Sequence, residues 1–371
     1  MKKVLLVATV QSHIAQFHKP LIALLKERGD IVHVAARNNL AEKNGLSIGE
    51  VDEVFDIPFA RSPLAKVNLK AYKMLKKVID EGEYDIVHCN TPMGGVLTRL
   101  AAKKARKKGT KVFYTAHGFH FYRGARKRNW LVYYPIEKCL AKKCDVLITI
   151  TEEDYALASK KFKTNVVHVH GVGVNTKKYS PFTQEQIDAF KAEQGLLGKT
   201  VLLCTGELNK NKNQITAIKA VEEIKDRFPE TVLLLAGNGP SEEELRLYVE
   251  QNGLQENVKL LGYRTDLEKF VYATDIVVSA SYREGLPLNV MEAMICKKPV
   301  VASKNRGHNE LVRNAENGFL VDATNVQSFA DGIAELIESK ALRESFGERG
   351  YELVQKYTAE SVVGELKELY K

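Results

Sequence analysis

The strongest constraint in this sequence is a rhythm in which short runs of Val, Leu and Ile are each followed by a stretch of helical periodicity, in two successive series. The first series predicts strands over Lys3 to Val10, Ile31 to Ala36, Asp85 to His88, Lys111 to Thr115 and Asp145 to Ile150. Helices are expected near Gln16 to Arg28, after Gly94 and around Asn129 to Lys142. The second series starts with Thr200 to Thr205 and continues through Thr231 to Ala236, Val258 to Leu260, Ile276 to Ser279 and Pro299 to Ala302. Alternation of this kind builds a doubly wound parallel sheet, so the fold class is α/β with two Rossmann-like domains. The pattern breaks between Gly171 and Gly198, where Gly173, Asn175 and Pro181 suit a connection. The expected division is therefore a first domain over 1–175, a linker over 176–198, a second domain over 199–355 and a C-terminal helical segment over 356–371. The amphipathic helix Ala359 to Lys371 could pack on either domain, including back on the first. Ligands of open α/β sheets bind beyond the carboxyl ends of the strands, and the expected site is a cleft between the two domains.

Composition narrows the class further. At 371 residues, 44% apolar and 27% charged, each half can bury a core of its own. The apolar runs Val4 to Val10 and Val232 to Ala236 are far shorter than the ~18 residues of a membrane span. Lys2 and Lys3 precede the first run, but Gln11, Ser12 and His13 follow it without a small-residue cleavage site, so it reads as a strand. Five cysteines with no C-x-x-C pair indicate neither a disulfide framework nor a zinc site, and point to a reducing, cytoplasmic compartment.

Charge is unevenly placed. Residues 1–180 hold 32 Lys or Arg against 16 Asp or Glu, a balance of +16, whereas the rest holds 23 against 30, a balance of −7. A basic first half calls for a polyanionic partner. Its basic residues cluster beside apolar and aromatic ones: Arg61, Lys66, Lys70, Lys73, Lys76 and Lys77 with Leu69 and Tyr72, and Arg123, Arg126, Lys127 and Arg128 running into Trp130, Leu131, Tyr133 and Tyr134. Such stretches suit an anionic membrane surface, with an ordinary core-facing helix as the alternative.

The densest candidate for chemistry is Arg283-Glu284-Gly285-Leu286-Pro287-Leu288-Asn289-Val290-Met291-Glu292, directly after a strand. Pro287 suits the first helical position, which leaves the amides of Leu288, Asn289 and Val290 as unpaired donors for an anion such as a diphosphate. Glu284 and Glu292 could bracket the ligand. A second strand-to-helix turn carries Gly206, Glu207 and Lys212, with the lysine at the expected helix start, where an anion would offset its unfavourable interaction with the helix dipole. Ala236-Gly237-Asn238-Gly239-Pro240 reads as a tight turn. In the first domain His117 stands next to Gly118 at the carboxyl edge of the sheet, with His13 and His18 on the first strand-to-helix connection at the same edge. The nine histidines show neither H-x-x-x-H nor H-E-x-x-H spacing, and no D-x-D triplet occurs, so no metal site is expected.

Taken in order along the chain, these pieces resemble the retaining, metal-independent glycosyltransferases of family four, which share the two-domain GT-B fold. The family's E-x7-E signature corresponds to Glu284 through Glu292, and Gly285-Leu286-Pro287, Glu292-Ala293-Met294, Gly262-Tyr263-Arg264 and Glu316-Asn317-Gly318-Phe319-Leu320-Val321 are similar to its other motifs. The resemblance implies that Glu292 holds the ribose of a nucleotide sugar, Glu284 the donor sugar, and the amides of Leu288, Asn289 and Val290 the diphosphate. It further implies Lys212 at the departing phosphate, His117 at the reacting sugar and Tyr263 or Arg264 at the base, with no metal or other cofactor. Where the family usually has an arginine after Gly206, this chain has Glu207. The first loop, with Gln11, Ser12, His13 and His18, resembles the branch that builds capsular and exopolysaccharides on lipid carriers, so these residues fall on the acceptor side. The implied partners are a UDP-sugar donating a hexose or N-acetylhexosamine, a lipid-diphosphate-linked saccharide and the inner membrane face, with no nucleic acid. A GT-B sugar-nucleotide epimerase or a non-catalytic nucleotide-sugar sensor are the alternative readings. The epimerase would need carboxylates in the first domain, and the sensor would have no use for Glu284 and His117.

Overall fold

The computed structural model describes residues 1–42 and 46–371. The chain divides into two units, one comprising Met1–Gly173 with Ala359–Lys371, the other Val174–Thr358. Unit 1 is built on seven parallel strands: β1 (Lys3–Val10), β2 (Ile31–Arg37), β3 (Glu53–Asp56), β4 (Ile86–Asn90), β5 (Lys111–Ala116), β6 (Val146–Thr149) and β7 (Asn165–His168). They lie in the order β3-β2-β1-β4-β5-β6-β7. Val4 to Ala8 of β1 are wholly buried, because helices cover both faces of the sheet. Each such Val or Leu contributes about 1.5–3 kcal/mol of burial.

The C-terminal helix, Ala359–Leu369, belongs to unit 1. Tyr370 beyond it is fully buried, with its hydroxyl 2.6 Å from His88 Nδ1. Beside it, Glu365 pairs with His170 at 2.6 Å. These contacts fasten the chain end to the sheet.

Unit 2 repeats the plan with six parallel strands: β8 (Thr200–Thr205), β9 (Thr231–Ala236), β10 (Val258–Gly262), β11 (Ile276–Ser279), β12 (Val300–Ser303) and β13 (Gly318–Val321). Their order is β10-β9-β8-β11-β12-β13. In each sheet the order reverses beside the first strand, at β1/β4 and at β8/β11, and those crossings are where loops diverge and leave room for a ligand.

Residues 176–198 are part of unit 2 rather than a tether. Tyr179 is buried there, and the helix Gln184–Glu193 sets Phe190 edge-on to Phe270 with ring centroids 5.0 Å apart. The first helix also departs from expectation, starting at Gln11 directly after β1 and ending at Phe17. A second helix runs from Lys19 to Glu27. Pro20 has no amide hydrogen to donate back toward Gln16, so the periodic stretch splits at His18.

Candidate functional site

At the β8/β11 crossing of unit 2, two loops meet and bond to each other. Asn211 accepts from the Tyr282 amide at 2.8 Å and donates through Nδ2 to the Arg283 carbonyl at 3.0 Å. Asn213, held in the left-handed region at φ 55°, donates to the carbonyls of Ala280 and Ala323 at 3.1 and 2.9 Å. This bracing brings Lys212 Nζ to 2.7 Å from Glu284 Oε1, with only 23% and 12% of the two side chains exposed. Lys212, expected at the helix start, lies instead in the turn two residues before the helix Gln214–Ile224.

Glycines set the loop path. Gly206 has φ 135°, and a Cβ on it would meet the Lys212 side chain at 3.2 Å. At Gly237, φ is 146° and a Cβ would stand 2.0 Å from the Gly206 carbonyl oxygen. The turn after β9 is thus a support for the Lys212 loop. A Cβ on Gly307 would meet the Gly285 carbonyl at 2.5 Å and Glu284 Cβ at 2.8 Å, so the turn after β12 seats the Glu284 loop. Asn213, Gly237 and Gly307 were not singled out by chemistry-bearing patterns, because their work is to let other backbones approach.

The helix Leu288–Ile295 starts next to this pair. Pro287 is its N-cap rather than its first helical residue, and no side chain caps it. The first intrahelical bond is from the Met291 amide to Pro287, which leaves the amides of Leu288, Asn289 and Val290 pointing out of the helix end. Asn289 Nδ2 also reaches the Thr205 carbonyl at 3.4 Å, tying the helix start to the end of β8. Glu292 lies one turn in. Burial raises its carboxyl above the usual range, opposed by the Tyr179 hydroxyl and by Lys178. Three outward amides, Lys212 and Glu284 on adjoining loops, and Glu292 one turn into the helix form an anion cradle flanked by hydrogen-bond acceptors.

Not every predicted donor residue joins this cluster. Glu207 is exposed and its carboxylate accepts from Asn209 Nδ2 at 2.9 Å, so it adds no positive charge. Arg264, at the end of β10, is forked onto Asp266 at 2.9 and 2.8 Å, while Tyr263 is 59% exposed.

In unit 1, Gln11, Ser12 and His13 form the first turn of the helix Gln11–Phe17 rather than a loop. Ser12 is committed to the fold: its amide donates to Asn39 Oδ1 at 3.0 Å and its hydroxyl accepts from Asn39 Nδ2 at 2.9 Å. Gln11 is buried. His13, His18 and His117 converge, with His13 and His117 ring centroids 4.7 Å apart and one nitrogen of each of the three within 4.8 Å of the others. Desolvation lowers all three below the usual imidazole value, His117 to about 4, so the cluster is neutral near pH 7. Their mutual repulsion when charged acts in the same direction at His13 and His18. Spacing along the chain could not reveal this grouping, since His117 arrives from the end of β5.

The basic stretches have two faces. In the helix Lys127–Ala141, Trp130 turns inward, donating to the Tyr122 carbonyl at 3.2 Å and packing on Phe121 and Tyr134. Leu131, Val132, Tyr133 and Ile136 face out, Leu131 at 77% exposure, beside exposed Arg126, Lys127 and Arg128. The helix is anchored by buried Arg99, which makes a forked pair with Glu137 at 2.8 and 3.1 Å and lies over the Tyr114 ring. Leu64 and Leu69 are similarly exposed beside Arg61, Lys66 and Lys70. Among the described residues no helix is long and apolar enough to cross a membrane.

Comparison with known proteins agrees with this layout. Residues 17–178 match the family model for Glycosyltransferase Family 4, and residues 186–353 that for Glycosyl transferases group 1. A "Putative glycosyltransferase EpsD" of Bacillus subtilis is 41% identical over 372 residues, spanning 100% of this chain and 96% of its own. The Escherichia coli UDP-Gal:alpha-D-GlcNAc-diphosphoundecaprenol alpha-1,3-galactosyltransferase is 29% identical over 311 residues, covering 81% of this chain and 78% of its own. Among solved structures, Anabaena Alr3699/HepE in complex with UDP and glucose superposes with a TM-score of 0.81 at 21% identity, over 100% of this chain and 99% of that one.

Proposed function

Because this chain belongs to the family-four glycosyltransferases of GT-B fold, we propose that it moves a hexose or N-acetylhexosamine from a UDP-sugar to a lipid-diphosphate-linked saccharide, with retention, in the synthesis of a bacterial surface polysaccharide. The observation that carries the donor half of this reading is the Lys212–Glu284 pair beside the open start of the helix Leu288–Ile295. A diphosphate seated there accepts from the amides of Leu288, Asn289 and Val290, and Lys212 leaves Glu284 to meet the departing phosphate as its charge grows. Glu284, released, accepts from hydroxyls of the donor sugar, and Glu292 from the ribose. These groups neutralise the leaving diphosphate without a divalent ion, so the reaction needs no cofactor. His117 serves the reacting sugar, and Gln11, Ser12, His13 and His18 belong to the acceptor side. The backbone amide of Tyr263 or Arg264 meets the base, and Gly206 gives the phosphate room.

Two observations support the acceptor half. The E. coli relative acts, by its name, on a diphosphoundecaprenol-linked sugar. The outward residues of the helix Lys127–Ala141 join four large apolar side chains to a run of three basic ones, a surface fit to rest on an anionic bilayer. The protein is accordingly expected at the inner face of the cell membrane, peripherally bound.

The test is a panel of nucleotide sugars offered with a polyprenyl-diphosphate-linked saccharide, in excess chelator, with the product's anomeric configuration read by NMR. Transfer from a UDP-sugar with retention is the expected result. Activity that collapses in chelator and returns with manganese would remove the metal-free donor site, and an inverted product would remove the retaining assignment.

A further inference from the structure

We propose that His13, His18 and His117 bind a divalent transition-metal ion of the kind that favours imidazole, with Zn2+ as its representative. The three rings come from two separate chain segments and meet within unit 1, with centroids 4.7, 5.4 and 6.2 Å apart. One nitrogen from each lies within 4.8 Å of the other two. Zinc takes imidazole nitrogens at ~2.0–2.1 Å, which sets them about 3.4 Å apart around a tetrahedron. Closing the cluster thus needs shifts of about an ångström, within the reach of side-chain rotation.

The hydrogen bonding separates these three histidines from their neighbour. His88 spends both ring nitrogens, on Tyr370 at 2.6 Å and Thr115 at 2.7 Å, and is not available. His13 Nε2 and His18 Nε2 are buried and have no hydrogen-bond partner. His117 Nε2 sits 3.1 Å from Asn90 Oδ1, to which it donates, so the ring is oriented and its Nδ1 lone pair is left for a metal. A carbonyl oxygen behind a ligating histidine is the usual way its tautomer is fixed.

The chemistry of the group selects the ion. The cluster has no carboxylate, whereas Mg2+ and Ca2+ require oxygen ligands. Three neutral imidazoles suit Zn2+, Co2+ or Ni2+. A pocket lined by Phe17, Leu21, Val362 and Leu366 reaches His18 and His117, giving the ion a route in. Three protein donors also leave a fourth position for solvent. Because the ion takes the His117 lone pair, it should act as an inhibitor, a consequence that rests on the role given to His117 above.

The full chain, stripped with chelator and exchanged into metal-free buffer, is titrated with Co2+ while visible absorption is followed, and with Zn2+ by calorimetry. One equivalent with a tetrahedral Co2+ spectrum is expected, and no heat with Mg2+. His13→Ala and His18→Asn, each checked for an unchanged circular dichroism spectrum, should weaken binding at least about tenfold, whereas Cys139→Ser, which removes the exposed thiol, should not. Absence of stoichiometric binding by the unaltered chain, binding that survives both histidine changes, or binding lost in Cys139→Ser would each overturn the site. Turnover should fall on saturation with Zn2+ and recover with chelator. Full turnover with the site demonstrably occupied would overturn the inhibition and the role of His117, while leaving the site itself standing.

Discussion

At the crossing of β8 and β11 the loops carry a lysine and a glutamate 2.7 Å apart, each the other's counter-charge. Around the corresponding crossing of β1 and β4, together with the end of β5, the loops and first helix carry imidazoles that desolvation keeps neutral. The strand order on either side of the two crossings is the same. One scaffold therefore carries a charged pair at one crossing and neutral imidazoles at the other, and on the readings proposed above the first suits a diphosphate and the second a transition-metal cation. The surfaces differ in the same sense, since the basic and apolar stretches fall in unit 1 while the remainder of the chain beyond residue 180 is net acidic.

That division of labour is most exposed to substitution at Lys212. On the donor role proposed for it, its removal takes a preorganised charge from the leaving phosphate, and Lys212→Ala should lower kcat by about 10²–10³ while changing the donor KM far less. His13→Ala in unit 1 should cost much less in the same steady-state assay. Equal losses would erase the distinction between a charged site and a neutral one.

The surface contrast is tested by vesicles. Basic residues near an anionic bilayer contribute about 1 kcal/mol each, so replacing Arg126, Lys127 and Arg128 by Gln should weaken sedimentation with anionic vesicles by about a hundredfold at low salt. Leu131→Ser with Ile136→Ser should leave a weaker binding that salt abolishes, because exposed charges are screened over ~8 Å at physiological ionic strength. Equal pelleting with neutral vesicles would remove the electrostatic docking.

Glu292 sharpens the donor side. Hydrogen bonds to a charged group are worth about 1.5–3 kcal/mol, so Glu292→Ala should weaken nucleotide binding by roughly tenfold to a hundredfold in calorimetry. Unchanged affinity would take Glu292 out of the site.

Much of this was legible in the sequence, and the exceptions have physical causes. The strands β1, β2, β5 and β8 declared themselves because buried parallel strands are continuously apolar. The edge strand β3, with Glu53 and Asp56 in a four-residue run, carries no such signal. Glu284, Glu292 and Lys212 stood out as candidates because Pro287 marks a helix start and Gly206 a tight turn, and the structure does bring Lys212 and Glu284 together beside that helix. Segment 176–198 looked like a linker because Gly, Pro and polar residues dominate it, yet Tyr179 and Phe190 are enough to bind it to unit 2. His13, His18 and His117 could be placed at one edge of the sheet, but the approach of their rings could not be read, since His117 arrives from the end of β5.

The smallest effect concerns Glu292 and stability, and it has the opposite sign to its effect on binding. Burial raises the folded-state value of this carboxyl above that of the unfolded chain, about 4.3. The protonated form is thus favoured in the native state, and this contribution to stability is complete below the unfolded value and lost as pH rises through the folded one. Ionising Glu292 in the native protein therefore costs stability, because desolvation disfavours the charged form. Glu292→Gln keeps the shape and removes the ionisation. Without donor, the variant should melt at a higher temperature than the parent at pH 7, and the gap should shrink as pH falls toward 4. With saturating nucleotide the order should narrow or reverse, because only the parent gains the full binding free energy. A variant that melts lower at pH 7 without nucleotide would mean that Glu292 holds the fold together rather than waiting for a ribose.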